Sequence, residues 1–351
     1  MDLNRHNAFN AIDQSGMLAS ILALPSQLKT AYQNGHEWSL DNPADYHAVV
    51  IGGMGGSAIA ADLLLGCLAD TIRVPVAVIR DYHLPAWAQD DNDVLVVTSS
   101  HSGNTEETLS LFDRALSSGC GVHAITTGGA LAQRAQEAGA GLWRFKHQGQ
   151  PRAAVGWSFG LLLALFERLD ILPSQQAWVA SAVEAMRNLR EHIKAEIPIA
   201  KNPAKRLAGQ LVGKYPCVIG AEHLAPVARR WKTQINELAK SWCQYETLPE
   251  ADHNTLAGTL YPEEALLKIF SIFLQSPHYH DRTQQRVDLT FTEFMVAGIG
   301  TDKLALRGET RLEDMWVHLF FGDMLAYYLA LLYDIDPTPV EAIESFKAQL
   351  G

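Results

Sequence analysis

Short apolar runs that end in glycine or hydroxyl residues alternate, along most of the chain, with longer stretches whose apolar residues recur at helical spacing. In the first half, Tyr46–Gly53, Val74–Ile79, Val94–Thr98, Gly121–Thr126 and Leu142–Phe145 read as strands with helices between them. That order predicts a five-stranded parallel sheet covered on both faces. The residues up to about Asn42 look helical and lie outside this sheet as packing arms. Ser174 to about Glu196 reads as a polar-faced helix joining two halves. In the second half, Tyr215–Gly220, Gln244–Leu248, Leu267–Leu274 and Arg286–Phe291 read as strands, and Leu224–Lys240, Glu309–Leu332 and Pro339–Leu350 as helices. The strand-glycine-helix opening of residues 46–67 recurs at 215–240, which suggests an internal duplication.

With 351 residues, the chain exceeds a comfortable single core, and two domains follow, 1–172 and 173–351. The 48% apolar content supports a sizeable core, and 19% charged residues argue against disorder. A net charge of -11 disfavours nucleic acid, because binding a phosphate backbone needs a basic face. Cys67, Cys120, Cys217 and Cys243 form no CxxC pair and read as reduced, which points to the cytoplasm. The first residues lack the basic-then-apolar order of a signal peptide. Val155–Phe166 is too short to span a membrane, and Met315–Tyr333 carries His318 and Asp323; both read as core helices, so no membrane partner is expected.

The densest chemistry follows the Val94–Val97 run. Ser99, Ser100, Ser102, Asn104 and Thr105 put hydroxyls, an amide and backbone N–H groups at a predicted helix start, where an anion is favoured. An ordinary N-cap cluster is the plainer alternative. Gly52-Gly-Met-Gly-Gly-Ser57 makes a second strand-to-helix turn, with Gly56 and Ser57 at its end. Together the turns suggest a two-loop pocket at the carboxyl ends of parallel strands. A sugar phosphate suits it better than a nucleotide, since neither GxxxxGK[ST] nor a convincing GxGxxG is present. His101 reads as a solvent-facing loop residue. Arg152 precedes a wholly apolar helix, so a merely solvated role is less natural there. Glu237, His253 and Lys347 stand out in the second half, although each also has a surface reading. His278 and His280 flank Tyr279 without an evident third ligand, and no metal is expected.

Ser100-His-Ser-Gly-Asn-Thr-Glu-Glu-Thr108 resembles the phosphate loop of SIS (sugar isomerase) domains, S-x-S-G-x-T-x-E, with His101 in place of the aromatic residue often found there. Nearly end to end, the chain resembles the bifunctional phosphoglucose/phosphomannose isomerase family. The matching pieces are Ile12–Met17, Gly52–Ser57, Ser100–Thr105, Pro151–Ala154, Asn236-Glu237, His253-Asn254 and Lys347. The resemblance implies an α/β protein of two SIS-type domains, each a mainly parallel five-stranded sheet with helices on both faces. It implies a metal-independent aldose-ketose isomerase acting on glucose 6-phosphate, and on mannose 6-phosphate, through a cis-enediol, with no cofactor. Gly56, Ser57, Ser100, Ser102 and Thr105 would surround the phosphate and Arg152 the enediolate. Glu237 would be the base, with His253 and Lys347 in ring opening. A homodimer with His253 reaching across the interface is implied as well, and Thr338 is the candidate that makes room for both 2-epimers. Elementary chemistry agrees: one carboxylate can move a proton between C1 and C2, a guanidinium can hold the oxyanion, and a histidine titrates near neutrality. The competing class, a sugar-phosphate-sensing regulator, would need the phosphate loops but not Glu237, His253 and Lys347.

Overall fold

The computed structural model describes residues 1–40 and 45–350. The end of the expected N-terminal helical stretch, residues 41 and 42, lies outside them. Cα packing separates two compact units, Ala23–Val183 and Met1–Leu22 with Glu184–Gly351. Where the sequence pattern assigns the first 22 residues to the first domain, the packing joins them, with helix α1 (Met17–Leu22), to the later part of the chain.

The Ala23–Val183 unit runs α2 (Leu24–Glu37), β1 (Ala48–Gly53), α3 (Gly55–Leu68), β2 (Val76–Ile79), β3 (Val94–Ser100), α4 (Glu106–Ser117), β4 (Gly121–Thr126), α5 (Gly129–Ala138), β5 (Gly141–Arg144) and α6 (Val155–Arg168), and α7 (Gln176–Ile193) begins in it. Its five strands are parallel in the order β2-β1-β3-β4-β5, as the sequence pattern predicts. β1 and β3 are buried along their whole length, so both faces must be apolar, and Val49, Val50, Val94, Val96 and Val97 meet that need. Ala48, Val50, Val94 and Val96 pack against Leu111 and Ala115 of α4. Small residues let α2 lie close on α6: a Cβ at Gly160 would come within 2.7 Å of the Ala31 methyl. Phe159 and Leu161–Phe166 of α6 are buried, as a core helix requires.

The other unit continues with α8 (Pro203–Leu211), β6 (Tyr215–Ala221), α9 (Ala225–Ala239), β7 (Gln244–Leu248), α10 (Glu263–Leu266), β8 (Ile269–Leu274), α11 (Asp281–Val296), β9 (Gly300–Leu304), α12 (Arg311–Leu332) and α13 (Glu341–Leu350). Its parallel sheet has the order β7-β6-β8-β9, four strands among the described residues where five were expected. The expected strand at Arg286–Phe291 is the middle of α11. Val287, Thr290 and Phe294 are its buried positions, a helical spacing that so short a run does not distinguish from alternation. The fourth strand is Gly300–Leu304, half-buried and polar at Asp302 and Lys303, and hence without a hydrophobic signature. α12 is long and apolar enough to cross a membrane, but 94% of its apolar window is buried. Its two buried aspartates are paired: Asp323 lies 2.9 Å from Arg230 and Asp314 3.0 Å from His223, partners that buried carboxylates require.

Candidate active site

β1 and β3 are neighbours, and the chain leaves them toward opposite edges of the sheet, so a crevice opens at their carboxyl ends. The two turns singled out by sequence meet there. Gly53 pairs with Ser99 across the strands, and a Cβ on Gly53 would stand 2.8 Å from the Ser99 carbonyl oxygen, too close for any other residue. α3 opens from Met54, whose side chain gives no cap, and Ser57 is buried in its first turn. Gly56 fits against the turn that carries Arg152: a Cβ there would be 2.9 Å from the Pro151 carbonyl oxygen and 3.5 Å from Arg152 Cα.

The second turn is closed by its own hydroxyls. Ser100 Oγ lies 2.9 Å from Thr105 Oγ1 and accepts from Gly103 N–H at 3.1 Å, while Ser102 Oγ accepts from Asn104 N–H at 3.2 Å. Thr105 is the N-cap of α4, yet its side chain makes no capping bond. Both helix starts therefore present main-chain N–H groups that no N-cap side chain satisfies, and with the helix dipoles they suit a phosphate.

Sequence reasoning missed a third loop, Thr126-Thr-Gly-Gly129, which braces this turn from behind. Thr127 donates through its N–H and its Oγ1 to the His101 carbonyl, at 3.2 Å and 2.6 Å. Ala130 N–H donates to Asn104 Oδ1 at 3.0 Å, and Leu131 N–H to the Gly103 carbonyl at 2.8 Å. The Gly-Gly step after a strand was the available signal.

Arg152 is buried, in a 3-10 turn at Pro151–Ala153, with a guanidinium N–H donating to Gln150 Oε1 at 3.3 Å. Gln27 of α2 supports that turn, donating to the Ala153 carbonyl at 2.8 Å. His101 corrects the expectation of a solvent-facing loop residue. It is half-buried, 2.9 Å from His147 Nδ1, and packs edge-on to Phe145.

Glu237, His253 and Lys347 belong to the other unit. Glu237, in the last turn of α9, shares a cavity of about 490 Å³ with Ile335, Asp336 and the start of α13. Lys240, in the left-handed conformation at the end of α9, donates to the carbonyls of Glu237 at 2.9 Å and Asp336 at 3.0 Å, which clips the two walls together. Thr338 lies in the chain between the lining residues Asp336 and Pro339, its N–H bonded to Asp336 Oδ1 at 2.9 Å. Lys347 is exposed on α13. His253 is exposed at the end of the Glu250–His253 turn, which Asp252 anchors through Arg286 and Thr290, each at 2.7 Å. Among the described residues, no group of three His, Cys, Asp or Glu side chains is arranged to hold a metal. His278 bonds the Gly308 carbonyl and His280 caps α11, so both have structural work.

A model of the bacterial phospho-glucose isomerase C-terminal SIS domain matches residues 200–350. Over 339 residues the chain is 39% identical to a bifunctional phosphoglucose/phosphomannose isomerase from Caldicellulosiruptor bescii, covering 95% of this chain and 99% of that one. A protein of the same description from Aquifex aeolicus is 31% identical over 324 residues, with 91% and 96% covered. A solved glucose-6-phosphate isomerase like protein from Thermus thermophilus shares the fold, with a TM-score of 0.64 at 18% identity over 97% of this chain and 98% of that one.

Proposed function

Since the chain belongs to the bifunctional phosphoglucose/phosphomannose isomerase family, we propose that it interconverts glucose 6-phosphate and mannose 6-phosphate with fructose 6-phosphate through a cis-enediol intermediate. The observation that carries this reading is the pair of helix starts at the β1/β3 crevice, with Ser100 and Thr105 bonded to each other and the buried Arg152 turn set against Gly56.

In this reading Gly56, Ser57, Ser100, Ser102 and Thr105 hold the phosphate, and that remote binding orients the sugar for reaction. His253 and Lys347 serve ring opening, which moves a proton from the C1 hydroxyl to the ring oxygen. Glu237 then takes the C2 proton of the open aldose and returns it to C1, and the Arg152 guanidinium stabilises the enediolate oxygens between the two transfers. Converting the enediolate to the ketose also moves the hydroxyl proton from O2 to O1, a transfer between neighbouring oxygens beside Arg152, so in this reading the chemistry calls for no metal or cofactor. Rotation about C1–C2 would present either face to the base, and Thr338, whose neighbours Asp336 and Pro339 line the Glu237 cavity, is the candidate that leaves room for it.

The reading includes a homodimer in which His253 serves the partner's site. Its exposure on an anchored turn supports that role, because an outward, rigidly held side chain can reach a second copy. It also includes a cytoplasmic setting in sugar-phosphate metabolism, supported by four free cysteines. A coupled assay offering each hexose 6-phosphate in turn, with and without a chelator, tests it. Turnover of both aldoses that survives chelation is expected; no turnover of either would overturn the function, and loss on chelation would overturn the metal-independent chemistry.

A further inference from the structure

His101 lies between Ser100 and Ser102, and its two halves are tied to different parts of the Ala23–Val183 unit. Its carbonyl accepts both bonds from Thr127 in the loop after β4. Its ring turns the other way, with Nε2 2.9 Å from Nδ1 of His147, and rests edge-on against Phe145, with ring centres 5.9 Å apart. His147 and Phe145 belong to the connector between β5 and the 3-10 turn at Pro151–Ala153, so this connector ends in Arg152. Phe145 in turn stacks on Trp157 of α6 at 5.5 Å, which holds the connector at its far side. An N–H···N bond between two imidazoles needs the accepting nitrogen unprotonated, so it is lost only when both rings carry a charge. Burial, and then the neighbouring His147 ring, hold His101 down to about 4, and burial lowers His147 as well. At neutral pH one ring can therefore donate to the other.

We propose that the His101–His147 hydrogen bond is a positioning contact for the isomerisation, fixing the phosphate turn and the Arg152 turn in one frame. A substrate held by its phosphate then meets the guanidinium at the enediolate oxygens without further adjustment of the loop. His101 and His147 are positioning residues and touch no reacting atom. The phosphate turn has its second brace in Thr127 and Ala130, so breaking the histidine bond disturbs Arg152 more than phosphate capture. The inference rests on the roles proposed above for the turn and for Arg152.

The test compares variants that break the bond with variants that can keep it. His147→Ala and His101→Phe should lower kcat about three- to tenfold, the worth of one neutral hydrogen bond, while KM for fructose 6-phosphate and inhibition by inorganic phosphate stay within about twofold. His147→Asn, whose amide oxygen can stand where Nδ1 stood, and His101→Gln should recover most of kcat. The His101→Phe/His147→Ala double variant should be no slower than the worse single one, because both remove the same contact. His147 is only half-buried, so its loss leaves no core cavity, and thermal melts of every variant establish that folded protein is compared. Wild-type kcat in the bond-breaking variants, or equal losses in bond-breaking and bond-keeping ones, would overturn the proposal. A raised KM and weakened phosphate inhibition at unchanged kcat would overturn it too, assigning the pair to phosphate capture. Failure of the underlying reading is separable: a wild type without isomerase activity, or an Arg152→Lys variant with full kcat, would reject the site roles whatever the histidine variants do.

Discussion

Gly103→Ala is the smallest change that should dismantle the phosphate turn. Gly103 has φ +69°, a left-handed conformation that costs an alanine about 1 kcal/mol. The added methyl would also stand 2.7 Å from the Gly128 carbonyl carbon, 2.9 Å from Thr126 Oγ1, and closer still to the Gly128 carbonyl oxygen. Most of these are main-chain atoms of the bracing loop, so no side-chain rotation relieves the overlap, and the turn must withdraw by ~1 Å to restore ordinary contact. Withdrawal strains the Leu131-to-Gly103 bond of 2.8 Å and the Gly103-to-Ser100 bond of 3.1 Å. At about 1 kcal/mol for each bond, the total destabilisation is about 2–4 kcal/mol. The same movement carries Ser102 and the start of α4 away from the proposed phosphate position. KM for fructose 6-phosphate should therefore rise about tenfold or more, which corresponds to ~1.4 kcal/mol of lost binding. Gly139→Ala is the matched control: its φ is +65°, but nothing lies within 4 Å of the new methyl. It should cost the conformational ~1 kcal/mol in urea unfolding and leave KM alone. A Gly103→Ala enzyme with wild-type KM, or a Gly139→Ala enzyme with an equal rise, would refute the reasoning.

Two further outcomes are expected. Burial, reinforced by the Arg168 guanidinium, holds His123 down to about 4 from an ordinary 6.5, and its Nε2 lacks a hydrogen-bond partner. The unfolded chain therefore binds this proton first on acidification, and stability is full above about pH 6.5 and lost as pH falls toward 4, by about 3 kcal/mol. Urea midpoints for wild type and His123→Gln at pH 7 and pH 4.5 measure it, and an equally steep acid loss in the variant would discredit this cause. In subunit mixing, Glu237→Gln and His253→Ala are each expected to be inactive, and a reassociated mixture should recover one intact site per mixed dimer. A mixture that stays inactive, although mass spectrometry finds the mixed dimers, would return His253 to its own subunit's site or remove it from the site.

What the sequence makes legible is local. Val94–Thr105 announces a buried strand, a hydroxyl turn and a helix start within twelve successive residues, and the structure forms them in that order. The Gly52–Ser57 turn is legible for the same reason, since glycines after an apolar run have few other uses. The brace at Thr126–Gly129 depends on β3 lying beside β4 with Ser100 opposite Thr126, a pairing no short stretch records. The His101–His147 bond joins residues 46 apart, so His101 alone looks like any polar loop residue. The second sheet departs from expectation where local signals mislead. Arg286–Phe291 offers both periodicities, and the edge strand Gly300–Leu304 has charged side chains where a buried strand would show valines.

In the proposed mechanism one carboxylate, Glu237, moves the proton between C1 and C2 of a phosphorylated hexose. The most direct test of this step is to incubate fructose 6-phosphate with wild type and Glu237→Gln in D2O and follow both aldose 6-phosphates by NMR. Wild type should form glucose 6-phosphate and mannose 6-phosphate, with deuterium at C2 wherever the Glu237 carboxyl exchanges its proton with solvent before delivering it. The Glu237→Gln protein should bind fructose 6-phosphate with little change yet form neither product and exchange no C1 proton, because the amide cannot accept one. Near-normal turnover and deuterium incorporation by the Glu237→Gln protein would contradict this mechanism.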